Sequence, residues 1–399
     1  MNTADLTVAE YFAGIGLVRL GLEQAGWRVV FANDISPAKY EMYKDAFSYD
    51  SKHYIVRDVF QLDPSEVPST LLATSSFPCI DLSLAGKQNG LSGKHSSAFW
   101  GFIRILSEQR QAQRMPPLIM LENVTGWLSS NKGRDFRITI QALNELGYSC
   151  DVFTLDALHF TPQSRPRVFV VGVQGIETSD NLELLLNRSK SLASNRLKQA
   201  VRDNLDLNWS WLDIPDPPPS NTTGLASIVE PLDDNDFRWW PDREVKRHLE
   251  MMAPAHRTRI EELGVKPELS YRTIYRRMRQ GQQRAEVRRG DTAGCLRTAV
   301  GGSSRQILVK AGCGQIRMRH MTAREYARLQ GAPDTYPINV DEIQALTGFG
   351  DAVCVPLIAW IGRSVLLPLV ENGACLDGVN INQRSSILRE ESVSASSMR

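Results

Sequence analysis

From residue 6 to about residue 175 the chain alternates short apolar runs with stretches of helical spacing, and that rhythm admits few folds. Apolar runs at 6–12, 28–32, 55–58, 71–77, 118–122, 148–155 and 167–173 have the length and bounding turns of strands. Between them, residues 17–25 read as a helix stopped by Gly26, and Ser36-Pro37 reads as an N-cap followed by the proline favoured at a first helical position. Further helices are expected at 98–113 and 136–146, the second ended by Gly147. Alternation over this length predicts an α/β fold, a mostly parallel sheet with helices on both faces. In such sheets ligands bind beyond the carboxyl ends of the strands, so function is expected in those loops.

Beyond Gly175 the rhythm stops. Residues 213–220 are proline-rich, and Trp209, Trp211, Trp239 and Trp240 cluster nearby. The stretch to about residue 320 reads as a second domain of irregular or antiparallel structure, with the tryptophans in its core. Thr322, with Glu325 three residues on, signals a helix over 322–330. Residues 353–367 form a strongly apolar helix expected to pack back on the first domain. The expected organisation is therefore a unit at 1–180, a second at 181–320, a returning segment at 321–375 and a disordered serine-rich tail at 376–399.

Composition removes several classes. No stretch reads as long and apolar enough to span a bilayer, and no basic region followed by an apolar run marks a signal peptide. None of the six cysteines forms a CxxC pair, so neither a zinc site nor a disulfide framework is expected, and a reducing cytoplasm is the natural setting. The net charge of +1 is uninformative, but its distribution is not: residues 271–320 hold twelve Arg or Lys and only Glu286 and Asp291 as acids. That excess suits a polyanion, or else a solvated arginine-rich face.

Several strand ends carry chemistry. Phe12-Ala13-Gly14-Ile15-Gly16 joins the first strand to the first helix, where glycines let backbone approach a ligand. Asn33-Asp34 ends the second strand and offers a carboxylate to ribose hydroxyls; Asp58 ends the third and could meet an adenine amino group. Pro78-Cys79 follows the fourth strand, placing a thiol at the sheet edge. Leu121-Glu122-Asn123-Val124 ends the fifth, where a partly buried carboxyl group can share a proton with a ring nitrogen. Gln163-Ser164-Arg165-Pro166-Arg167 precedes the seventh, and its arginines alternate in direction.

Taken together and in this order, these segments closely resemble the DNA (cytosine-5) methyltransferase family of prokaryotic restriction-modification type. The loop Ser83-x-Ala85-Gly86-Lys87-Gln88-x-Gly90-Leu91 continues the cysteine motif. Two late segments also match: Arg319 to Gly331, and Gly350-Asp351-Ala352-Val353. The match spans roughly residues 7–173 and 315–367; the stretch between about 175 and 300 falls where the family keeps its variable target recognition domain. Three positions depart from the usual pattern. Leu17 replaces a third glycine, Ile80 a frequent glutamine, and Asp351 the usual asparagine.

The resemblance implies an S-adenosylmethionine-dependent, Rossmann-like doubly wound sheet with a smaller, irregular recognition domain. It implies Cys79 as the nucleophile that attacks C6 of a flipped-out cytosine, and Glu122 at N3 and the exocyclic amine. Arg165 is expected at the base carbonyl oxygen or a phosphate, with Arg167 in support. For S-adenosyl-L-methionine it implies Phe12, Gly14, Ile15, Gly16, Asp34, Ile35, Asp58, Val59, Pro78, Asp351 and Ala352. For double-stranded DNA, Ser83, Lys87, Gln88, Gln163, Arg297, Ser303, Ser304 and Arg305 are the candidates. No metal or membrane is expected; a monomer is, either with a cognate restriction endonuclease in the same cell, not necessarily in contact with it, or acting alone in host DNA marking. The transfer RNA branch of the family keeps the same motifs, so the catalytic residues alone leave RNA open; the arginine-rich variable region favours duplex DNA. A non-catalytic DNA-binding relative would not need every catalytic position filled. A nucleotide-dependent dehydrogenase would need a second nucleotide-binding half, which is not seen.

Overall fold

The computed structural model describes residues 6–48, 50–78, 98–175, 181–221, 223–298 and 305–371. Its centre is a seven-stranded sheet in the order β3-β2-β1-β4-β5-β7-β6. The strands are β1 (Thr7–Tyr11), β2 (Arg28–Asp34), β3 (Tyr54–Val56), β4 (Leu72–Ser75), β5 (Leu118–Val124), β6 (Tyr148–Asp156) and β7 (Pro166–Gln174). The first five run parallel, and β7 is antiparallel to both β5 and β6. Chain order runs outward in one direction from β1 through β2 to β3, and in the other from β4 to β5. The carboxyl ends of β1 and β4 therefore flank a topological switch point, the place where such sheets open a crevice.

Helices cover both faces, as the alternation predicts: α1 (Leu17–Gln24), α2 (Pro37–Ala46), α3 (Ala98–Gln111) and α4 (Arg134–Glu145). On one face, Phe99, Phe102, Trp127, Phe136 and Ile140 pack against Ala9, Tyr11, Ile119 and Leu121. On the other, α1 meets the helix Val355–Ile361 so closely that a Cβ on Gly21 would lie 2.7 Å from Ile358 Cβ. The helical run Glu342–Glu371 does reach the length and hydropathy of a membrane span, contrary to the sequence reading. It is 61% buried over that window and serves as a core element of this fold.

Trp209 and Trp211 correct another expectation. They stack with ring centroids 5.2 Å apart and belong to the core of the first sheet, beside Phe136. Backbone bonds from Cys150 N to Asn208 O and from Ser210 N to Cys150 O (3.1 and 2.9 Å) attach this segment to the outer edge of β6. An exposed sheet edge is thereby covered, and residues 185–211 complete the first core instead of starting a second. The separate core forms around a four-stranded antiparallel sheet, β11-β10-β8-β9, of β8 (Ser270–Arg279), β9 (Gln282–Val287), β10 (Ile307–Gly312) and β11 (Gln315–His320). Val245, Ile260, Ile274, Val287, Val309 and Met318 fill it.

Candidate active site

The loop leaving β1 is shaped by backbone conformation. Phe12 (φ 58°), Gly14 (55°) and Gly16 (81°) all adopt positive φ. For phenylalanine this costs on the order of 1–3 kcal/mol, a strain that persists where surrounding structure imposes it. Asp34 at the end of β2 imposes part of it: its carboxylate accepts from Gly14 N–H (3.0 Å) and Ser36 N–H (2.9 Å). Tyr54 donates its hydroxyl to Gly14 O at 3.1 Å. No side chain caps α1, and Leu17 and Val18 of its first turn line the crevice.

A cleft of about 810 Å³ lies at the switch point. Phe12, Gly14, Ile15, Asp34, Ile35, Pro78, Glu122, Arg165, Arg167, Arg297, Asp351 and Ala352 all line it. Ile35 is 66% exposed, an apolar side chain set beside a ribose-compatible carboxylate. Asn123 fastens the mouth of β4 to β5, donating to Phe77 O at 3.2 Å while its amide oxygen accepts from Val124 N–H at 2.8 Å. That bond fixes the chain up to Pro78; Cys79 itself, with Ser83, Lys87 and Gln88, lies outside the described residues.

Two charged residues form the floor. Arg167 Nε stands 2.8 Å from Glu122 Oε1, and both side chains are about nine-tenths buried. Arg165 takes a different part from the one expected of it. Its guanidinium donates to Leu296 O (3.0 Å), Gly350 O (3.1 Å), Asp351 O (3.3 Å) and Ala352 O (2.7 Å). It also reaches Cys295 Sγ at 3.2 Å. Burial, with Arg167 close by, pushes its pKa down from the usual guanidinium value. Arg165 is thus a clamp that joins the returning segment to the sheet, and Arg167 is the arginine held by the candidate acid.

A family model described as C-5 cytosine-specific DNA methylase matches residues 6–366. The chain belongs to this family. As a DNA (cytosine-5) methylase it is 27% identical over 367 residues to the Type II methyltransferase M.NgoBI of Neisseria gonorrhoeae, covering 91% of this chain and 94% of that one. It is 25% identical over 363 residues to the Type II methyltransferase M.HhaI of Haemophilus parahaemolyticus, with 90% and 94% covered. Among solved structures it resembles the Dnmt2 methyltransferase of S. pombe (TM-score 0.60, 18% identity, 91% and 99% covered), a likeness of fold.

Other sequence-predicted residues of the methylase fall elsewhere. Gly16, Asp58 and Val59 are not among the residues lining the cleft. Gly16 serves packing, since a Cβ there would lie 2.4 Å from the Phe47 ring. The Asp58 carboxylate caps a short turn through Phe60 N–H at 3.0 Å, and Val59 is buried against Gly101. Gln163 corrects a DNA-contact expectation: it is fully buried, donating to Leu329 O (3.0 Å) and Gln330 Oε1 (3.2 Å) and accepting from Leu296 N–H (3.1 Å). No surface remains on it for a nucleic acid. Arg305 pairs with Glu342 at 3.0 Å, and Ser303 and Ser304 lie outside the described residues. Sequence reasoning missed Lys39 and Cys295, both of which line the cleft. Neither belongs to a recognisable motif; only the three-dimensional return of residues 295–298 and of α2 brings them there.

The arginine-rich stretch is a hairpin. Gln280 and Gly281, both at positive φ (50° and 76°), make the two-residue turn between Arg279 and Gln282. One face carries Ile274, Ala285 and Val287 into the core. The other presents Arg277 opposite Arg284, with Arg277 over the Tyr275 ring (4.6 Å) and Arg279 paired to Glu286 (2.8 Å).

Proposed function

We propose that this methylase transfers a methyl group from S-adenosyl-L-methionine to C5 of cytosine at a short specific sequence in double-stranded DNA. The observation that carries the proposal is the Glu122–Arg167 pair, held in the same cleft as Pro78 and the glycine turn. The cleft suits the methyl donor: the Asp34 carboxylate suits ribose hydroxyls, Ile35 offers an apolar face for adenine, and the turn Phe12–Gly16 admits close backbone approach. When bound, S-adenosyl-L-methionine supplies an electrophilic methyl group on a sulfonium.

The protein must make cytosine C5 nucleophilic. In this reading Cys79, the residue after Pro78, adds as thiolate to C6 of a base flipped out of the duplex. Glu122 holds the proton at N3, so the electron pair released into the ring does not build a full negative charge. Arg167 orients Glu122 and keeps positive charge beside the base. C5 takes the methyl group; loss of the C5 proton and departure of the cysteine sulfur as thiolate then restore the ring. The exposed face of the β8–β9 hairpin supplies arginines for phosphates and base edges.

The names of its Type II relatives support a role in protecting DNA within a restriction-modification system. The test is bisulfite sequencing of genomic DNA from a host without cytosine methylation, expressing this chain or Cys79→Ser. Protection at one short motif with the unmutated chain alone is expected. Protection that survives Cys79→Ser removes the nucleophile, and no protection with soluble wild-type protein removes DNA as the substrate.

A further inference from the structure

Lys39 Nζ and Asp351 Oδ2 form an ion pair of 3.1 Å, and both residues line the cleft. Each charge sits at the wrong end of its helix. Lys39 lies in the first turn of α2, where the helix dipole disfavours a cation, and Asp351 is the last residue of the helix Glu342–Asp351, where it disfavours an anion. Helix stability therefore explains neither residue. Fastening the two helices does not explain them either. Tyr336 donates to Ile15 O (2.7 Å), Gln344 to Ala38 O (2.8 Å) and Asn339 to Asp45 (3.2 Å), so the returning segment is already tied to α2 and the glycine turn. An ion pair as exposed as this one, 27% and 38% for the two side chains, adds little more.

The location gives the pair a purpose. The Lys39 stem lies across the glycine turn, its Cδ 3.8 Å from where a Cβ of Gly14 would stand. The Asp351 carbonyl is one of those clamped by Arg165, so its backbone is fixed. Two opposite charges side by side in the lining of the cleft match the amino-acid end of the methyl donor, itself a zwitterion. We propose that Lys39 and Asp351 are the seat for that end, Lys39 taking the carboxylate and Asp351 the ammonium, with the ion pair opening to exchange partners. The position where the family usually keeps asparagine would here be charged because Lys39 balances it. This inference rests on the reading that the cleft binds S-adenosylmethionine.

Calorimetry on the ligand-free protein tests it with two probes: S-adenosylhomocysteine, which carries the zwitterion, and 5′-methylthioadenosine, which lacks it. For wild type, the preference for S-adenosylhomocysteine should weaken as salt is raised. Lys39→Met should weaken S-adenosylhomocysteine about tenfold or more, because it removes the cation and leaves Asp351 facing the carboxylate, with methylthioadenosine held within about twofold. Asp351→Asn should weaken S-adenosylhomocysteine less and again spare methylthioadenosine. Both substitutions are close to isosteric and partly exposed, and thermal melts check folding. Equal weakening of both probes, or an unchanged S-adenosylhomocysteine affinity, overturns the inference and leaves the cofactor reading standing. A wild-type protein that binds neither probe overturns both.

Discussion

Glu122 and Arg167 face each other across the antiparallel junction of β5 and β7, with Arg167 Nε 2.8 Å from Glu122 Oε1. The register pairs Val124 with Arg167, so a side chain two residues back on β5 meets the guanidinium diagonally. The carboxyl group is thereby fixed in place by secondary structure in the wall of the cleft.

Glu122→Gln tests that arrangement. The amide keeps the volume and one acceptor but cannot hold an acidic proton or pair ionically with Arg167. Single-turnover methylation should fall by about 10²–10⁴, the usual worth of a positioned proton-transfer group. DNA affinity by fluorescence anisotropy should change by less than about threefold. Matching losses in both would recast Glu122 as a binding or structural residue.

The two arginines should separate in a melting experiment. Arg165→Ala strips donors from four backbone carbonyls, so stability should fall by at least about 3 kcal/mol. Arg167→Ala removes one ion pair at the cleft and should cost less than Arg165→Ala, yet abolish most methylation. Similar midpoints for the two variants in thermal or urea unfolding would refute this division.

Much of this was readable in the sequence, for identifiable reasons. The sheet and its helices follow from local periodicity and caps such as Ser36-Pro37 and Thr322–Glu325, which the structure reproduces as bonded caps. Strand-end positions of Asp34, Pro78 and Glu122 follow directly, because strand ends in a parallel sheet share one edge. What failed depended on long-range contact. Arg165 and Arg167 differ by two residues, and nothing local reveals that one meets the carbonyls of 350–352 while the other meets Glu122. Gln163 looked like a polar loop residue because its partners lie more than 130 residues away. Trp209 and Trp211 read locally as part of a second core because their partner strand, β6, is distant in the chain.

Gln163→Leu should discriminate its buried role from the DNA contact its motif suggested. The change keeps the volume and orphans Leu296 N–H and Leu329 O, so unfolding stability should drop by about 2–3 kcal/mol. Affinity for duplex DNA at fixed salt should change by less than about twofold, since no DNA contact is lost. An affinity loss of about tenfold with unfolding stability unchanged would restore Gln163 to the interface.

Glu10 makes the pH dependence of stability specific. It lies in the central strand, in register with Ala32 and Thr74, and is almost wholly buried. Burial pushes its carboxyl pKa up to about 8, against the opposing influence of the Arg19 guanidinium. Below about pH 4.5 the group is protonated in both native and unfolded chains and costs nothing. As pH rises, the unfolded chain gives up this proton first, and the native state keeps it until about pH 8. The group's stability contribution is therefore present at low pH and lost by pH 8. Glu10→Gln removes the titration while keeping the shape. Relative to wild type the variant should gain at least about 1 kcal/mol on going from pH 5 to pH 8, read from urea midpoints at each pH. Comparing the two proteins cancels the titrating groups not coupled to Glu10, leaving its own titration and its coupling to Arg19, Glu23 and Asp34. Parallel pH profiles would mean that Glu10 is ionised in the native state, and that Arg19 outweighs the burial.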